Sequence, residues 1–143
     1  MKKIIVATLL IVGLVLVVAC KSKPATIDEA FKSIYDRFRK DLILDGAEKT
    51  TVAAGDTLSA ISRDKYDDGR YFPVIMLASS EVVLDPDKIE PGMELTIPDL
   101  QKNLDDPKSK KNIKNFLGEI AKLYDDRDRK TDADALRELA DTL

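Results

Sequence analysis

Four aspartates, Asp67, Asp68, Asp85 and Asp87, come nearest to catalytic chemistry by type and spacing, since two carboxylates flanking a glycosidic bond can act as general acid and base. That chemistry needs a deep cleft and two environments that separate the pKa values. A domain as small as this chain allows rarely provides them, so the acids read as solvated surface groups. Other reactive types are sparse. The 143 residues contain no histidine and one cysteine, and the serines stand in no recognisable arrangement with a base. The run DDRDRKTDAD (125–134) is rich in carboxylates but lacks the glycine at the sixth loop position and the terminal glutamate of a helix-loop-helix calcium site. It reads as a charged linker. Neither a catalytic group, a metal site nor a cofactor is expected, and the chain reads as a binding protein rather than an enzyme.

Binding chemistry has better candidates. In VAAGDTLSAI (52–61) Gly55 permits a tight turn, Asp56 or Thr57 can accept hydrogen bonds from the first free amides of a helix, and Leu58 turns into a core. In DPDKIEPGMELTI (85–97) Pro91-Gly92 makes a type II turn, and Ile89, Leu95 and Ile97 close the same core. Tyr66, Tyr71 and Phe72 offer aromatic faces in a chain without tryptophan, with helix packing the preferred use of Phe72.

The elements that must position these residues follow from periodicity. KTTV (49–52) favours a strand, DTLSAISRDK (56–65) a capped helix, FPVIMLAS (72–79) a second apolar helix and MELTI (93–97) an alternating strand. The order β-α-α-β predicts an antiparallel pair with both helices on one face. Ahead of it, Thr26 and Glu29 have capping-box spacing, and Ile27, Ala30, Phe31, Ile34, Tyr35, Phe38 and Leu42 form one apolar stripe that Asp45-Gly46 ends. Behind it, Pro107 suits the first turn of a helix bearing Ile113, Phe116, Leu117, Ile120, Ala121 and Tyr124. Thr131 is expected to cap another helix bearing Ala135, Leu136, Leu139 and Leu143. The short connection favours an antiparallel helical hairpin, free to pack on the N-terminal helix or on a partner protein.

The first twenty residues, MKKIIVATLLIVGLVLVVAC, have a secretory signal layout: Lys2 and Lys3, an uncharged apolar run from Ile4 to Ala19, then Cys20. As a helix that run covers only about 24 Å, short of the roughly 30 Å hydrocarbon core, which disfavours the alternative of an uncleaved anchor. LVVAC resembles the lipobox of bacterial lipoproteins, with Val17 where Leu is usual and Leu16 one step earlier. The resemblance implies that Cys20 becomes the acylated N-terminus, carrying palmitate-type chains that hold the protein to a membrane of the cell envelope. Removing residues 1–19 takes Lys2 and Lys3 from the 23 basic residues and leaves 21 against 26 acids, a balance of −5. Nucleic acid, which rewards basic clusters, is not expected as a partner.

Taken together, VAAGDTLSAIS (52–62), the Phe72-Pro73 helix start and DPDKIEPGMELTIPDL (85–100) resemble the LysM domain, a small β-α-α-β module that binds peptidoglycan and chitin. The resemblance implies an α+β fold with a two-stranded antiparallel sheet, flanked by the N-terminal amphipathic helix and the C-terminal hairpin. The expected division is a signal peptide at 1–19, a lipidated N-terminus and helix at 20–46, the LysM module at 47–100 and the hairpin at 101–143. It also implies a shallow groove for an N-acetylglucosamine-containing glycan, with Gly55, Asp56, Thr57 and Leu58 on one lip and Asp87, Lys88, Ile89 and Glu90 on the other. Ser79 stands where many relatives have asparagine, and Glu90 where an aromatic residue is frequent. Two readings follow: an envelope lipoprotein that tethers membrane to wall through the glycan, or an envelope scaffold whose helical arms bind another protein while the LysM fold serves as structure.

Overall fold

The structure, a computed structural model, describes residues 26–143, so the signal-like run and Cys20 lie outside the described residues. Helix α1 (Ile27–Phe38) starts on the expected capping box: Thr26 Oγ1 accepts from Glu29 N, and Thr26 N donates to Glu29 Oε2 at 2.7 Å. A single 3-10 turn (Arg39–Asp41) ends it.

Strand β1 (Glu48–Thr51) and strand β2 (Glu94–Ile97) pair antiparallel, with Thr50 opposite Leu95 and Glu48 opposite Ile97. Two further backbone bonds, Val52 N to Met93 O and Gly92 N to Val52 O, carry the ladder to the turn. Period-two alternation sends Val52, Leu95 and Ile97 inward, and all three are buried. Between the strands run α2 (Leu58–Tyr66) and α3 (Phe72–Ala78). Every residue of α3 is buried. A helix apolar all round needs cover all round. Here α2 and β2 supply it within the β-α-α-β unit, and a helix from outside that unit supplies the rest.

That outside helix belongs to the C-terminal part of the chain. A short α4 (Leu100–Asp105), which the sequence reading did not separate from the hairpin, is capped by Asp99 and leads into α5 (Pro107–Asp125). Pro107 occupies the first turn of α5 as expected, and Asp106 caps it. Helix α6 (Lys130–Thr142) folds back on α5 as the hairpin. Its expected cap is corrected: α6 begins one residue ahead of Thr131, its N-cap is Arg129, and no side chain caps it. Asp128 adopts a left-handed φ of 58° to make this turn, and the Arg129 side chain is drawn to groups elsewhere.

One continuous core joins these parts. Tyr35 and Phe38 of α1 pack on Phe116 of α5, at ring separations of 6.2 and 5.6 Å, and Phe72 of α3 stacks on Tyr124 of α5 at 6.2 Å. Asn103, fully buried, ties α4 to the segment after α1: Oδ1 accepts from Ile43 N and Ser109 Oγ, while Nδ2 donates to Ile43 O and Asp99 O. The fold is α+β, with a two-stranded antiparallel sheet and six α-helices among the described residues.

Candidate functional site

The first lip is built by the loop from β1 into α2. Asp56 Oδ2 accepts from Ala53 N at 2.8 Å and closes the loop on itself, and Gly55 between them takes φ +87°, which favours glycine. Of the two candidate caps, Thr57 is the one that acts: its Oγ1 accepts from Ala60 N at 3.1 Å. Leu58 is thereby aimed inward and is buried.

The second lip is a 3-10 turn (Pro86–Lys88) stapled by Asp85, whose Oδ1 accepts from Asp87 N at 3.0 Å. The chain then reaches Glu90–Met93, where Met93 N donates to Glu90 O and Gly92 has φ +94°. This geometry fits the expected Pro91-Gly92 turn.

Between the lips lies an open groove of about 390 Å³. Asp56, Thr57 and Leu58 border it on one side and Asp87 and Ile89 on the other, so five of the nine expected residues share one concavity. Gly55, Lys88, Glu90 and Ser79 are not among its walls. Lys88 instead reaches Asp28 of α1 at 3.1 Å, and Glu90 is exposed at the turn. Ser79 is buried, and its hydroxyl is fully engaged: it accepts from Thr96 N at 2.9 Å and donates to Thr96 O at 3.3 Å. It therefore satisfies the free edge of β2, doing with one hydroxyl what an amide would do with two atoms.

Five other residues complete the walls: Ser59, Phe72, Pro86, Tyr124 and Arg129. Ser59 and Pro86 adjoin expected residues, and Phe72 was an aromatic candidate. Tyr124 and Arg129 come from the hairpin, and no local signal in the sequence ties them to this site. Arg129 lies 4.4 Å over the Tyr124 ring, bonds both Asp87 oxygens at 2.8 and 2.9 Å, and donates through Nε to Asp132 at 2.8 Å. Beside it, Arg127 reaches Asp87 at 3.0 Å and Asp85 at 3.5 Å. The hairpin tip thus clasps the second lip. Burial lowers the Arg129 pKa, but Asp132, Tyr124 and Asp87 outweigh it and the net shift is upward, so the guanidinium stays charged. Burial raises the Tyr124 phenol above its ordinary value and keeps it neutral.

The four aspartates weighed for catalysis have other occupations. Asp67 is the left-handed C-cap of α2, and Asp68 is bonded by Arg70 at 2.7 Å, which holds its carboxyl below the ordinary value. Asp85 and Asp87 belong to the clasp. Among the described residues, no group of three or more histidine, cysteine, aspartate or glutamate side chains is placed to hold a metal ion. The groove offers backbone amides, two carboxylates, hydroxyls at Thr57 and Ser59, one guanidinium and apolar surface at Ile89, backed by the buried Leu58 and Phe72. That is a set for hydrogen bonding and for packing against a partly apolar ligand.

Comparison with known proteins agrees with this geometry. Residues 50–98 match the LysM domain family model. The chain is also similar to the potassium binding protein Kbp of Escherichia coli, with 45% identity over 49 residues, which is 34% of this chain and 33% of that protein. The match therefore spans about a third of the relative's length. No solved structure matches significantly. Between its N-terminal helix and its C-terminal helices, this chain carries a LysM domain at residues 50–98.

Proposed function

We propose that this chain is a non-catalytic envelope lipoprotein that binds the N-acetylglucosamine-containing glycan of peptidoglycan, or a related polymer, and tethers a membrane to the wall. The observation that carries the reading is the groove itself: both lips expected of a LysM domain border one open concavity with apolar surface at Ile89, backed by the buried Leu58 and Phe72. Backbone amides and hydroxyls there suit acetamido groups, and the apolar side chains suit methyls and the faces of sugar rings. Acyl chains on Cys20 would hold the membrane, and joining a weak groove to a membrane anchor raises its effective concentration at the wall.

The alternative, a protein-binding scaffold with an idle LysM fold, loses support from the packing. Most of the apolar surface on the arms' stripes is covered within the chain: Phe31, Ile34 and Tyr35 of α1 and Ile113, Phe116 and Ile120 of α5 are all buried, while Ile27 at the start of α1 is exposed. Retention of the detergent-solubilised full-length chain on purified peptidoglycan sacculi tests the glycan half. Specific retention, competed by N-acetylglucosamine oligomers, is expected, and retention no better than that of an unrelated acidic domain would sink it. The anchor is tested by fatty-acid labelling in cells. Cys20→Ser should abolish incorporation, and unchanged label would remove the lipoprotein claim.

A further inference from the structure

Beyond the edge of the groove, a second cleft of about 300 Å³ runs between α2 and α6. It shares two lining residues with the groove, Ser59 and Phe72, so the two concavities are immediate neighbours. Its far side is formed by Ala135 and Leu136 of α6, which lie outside the LysM match. Its polar walls are Arg63, on the last turn of α2, with Asp67, Asp68, Arg70 and Asp132. The chain has seven arginines, and among the described residues Arg63 is the one that makes no ion pair. Its guanidinium stays beside the backbone of Gly69, within 3.3 Å of where a side chain there would begin.

We infer that the glycan site is composite: the hairpin extends the LysM groove past Ser59 and Phe72 into this cleft, which takes further sugars of the same strand. The inference rests on the glycan reading above. Because the cleft adjoins the groove at Ser59 and Phe72, a strand leaving the groove there meets the cleft next, which makes the groove's own ligand the occupant. The chemistry also continues. Arg63 presents five donors to ring hydroxyls and acetamido carbonyls, the Ser59 hydroxyl can donate or accept, and half-buried Ala135, backed by buried Leu136, offers a small apolar surface to a sugar face. The cleft's carboxylates do not dominate it, because Asp68 is paired with Arg70 at 2.7 Å and Asp132 with Arg129 at 2.8 Å, leaving Asp67 against Arg63.

The test is calorimetric titration of the full-length chain in detergent with β-1,4-linked N-acetylglucosamine oligomers of increasing length. The wild type should bind long oligomers more tightly than short ones. Arg63→Ala, an exposed position where folding is not at stake, should cut that ratio about tenfold, the lower end of the worth of one hydrogen bond from a charged donor. Ala135→Trp, which fills the cleft, should make long and short oligomers bind alike. A ratio unchanged in Arg63→Ala and in a folded Ala135→Trp overturns the inference, as does a wild type that binds short and long oligomers equally, and in both cases the glycan reading stands. A wild type that binds no oligomer overturns both.

Discussion

Replacing Ser79 by alanine separates a structural role from a binding role at a position where the sequence pointed to the groove. The hydroxyl is 3% exposed as part of a buried residue, and it meets both backbone groups of Thr96, at 2.9 Å to the amide and 3.3 Å to the carbonyl. Alanine leaves no side-chain partner for either group. Leaving a largely shielded amide unsatisfied costs about 1–3 kcal/mol, and the long second bond adds little, so a loss of about 2 kcal/mol is expected. For a chain of this size that lowers the Tm by roughly 6–8 °C. Thermal unfolding followed by circular dichroism reads the loss directly, and calorimetry with a glycan oligomer well below the new Tm reads the binding. The expected result is a lower Tm with unchanged affinity. An unchanged Tm accompanied by weaker glycan binding would refute the placement of Ser79 outside the groove.

Other outcomes follow from the same geometry. Asn103→Ala removes four hydrogen bonds from a fully buried position and should destabilise the fold by about 2–4 kcal/mol in denaturant titration, more than a surface substitution such as Lys111→Ala. Gly92→Ala forces a side chain into φ +94° and should cost about 1–2 kcal/mol by the same assay, although no atom crowds the site. Stability should fall in acid: hydrogen bonds from Lys122 and Arg37 hold Glu119 below its ordinary pKa, and Arg70 does the same for Asp68. Because these folded-state values are depressed, their contribution is complete above the unfolded carboxylate values of about 4 and is lost as pH drops through the folded ones. Unfolding curves across that range should show the decline, and stability constant down to strong acid would contradict it.

What could be read from the sequence was local. The capping box at Thr26 and Glu29, the turn glycines at Gly55 and Gly92, and the first-turn proline at Pro107 each obey a rule that spans a few residues, and each stands where expected. The failures are tertiary. Thr131 has a capping residue's chemistry, but α6 starts one residue earlier, with Arg129 at the N-cap position and its side chain on Asp87 and Tyr124. Ser79 stands where the family resemblance led to an expectation of asparagine in a groove, yet its hydroxyl is held by Thr96 on the unpaired edge of β2. Tyr124 and Arg129 line the groove from more than thirty residues beyond its second lip, a contact made by helix packing that no spacing rule reports. The all-apolar run of α3 was the one visible sign that something outside the β-α-α-β unit must cover it.

The most direct test of the glycan groove is a nuclear magnetic resonance titration of the full-length chain in detergent with an N-acetylglucosamine oligomer, following backbone amides. Amide shifts concentrated at residues 56–59 and 86–89, with those of Tyr124 and Arg129 moving in step, are the predicted result. The absence of saturable shifts, or shifts confined to the cleft beside Tyr66 and Pro98 on the other side of α2, would contradict it.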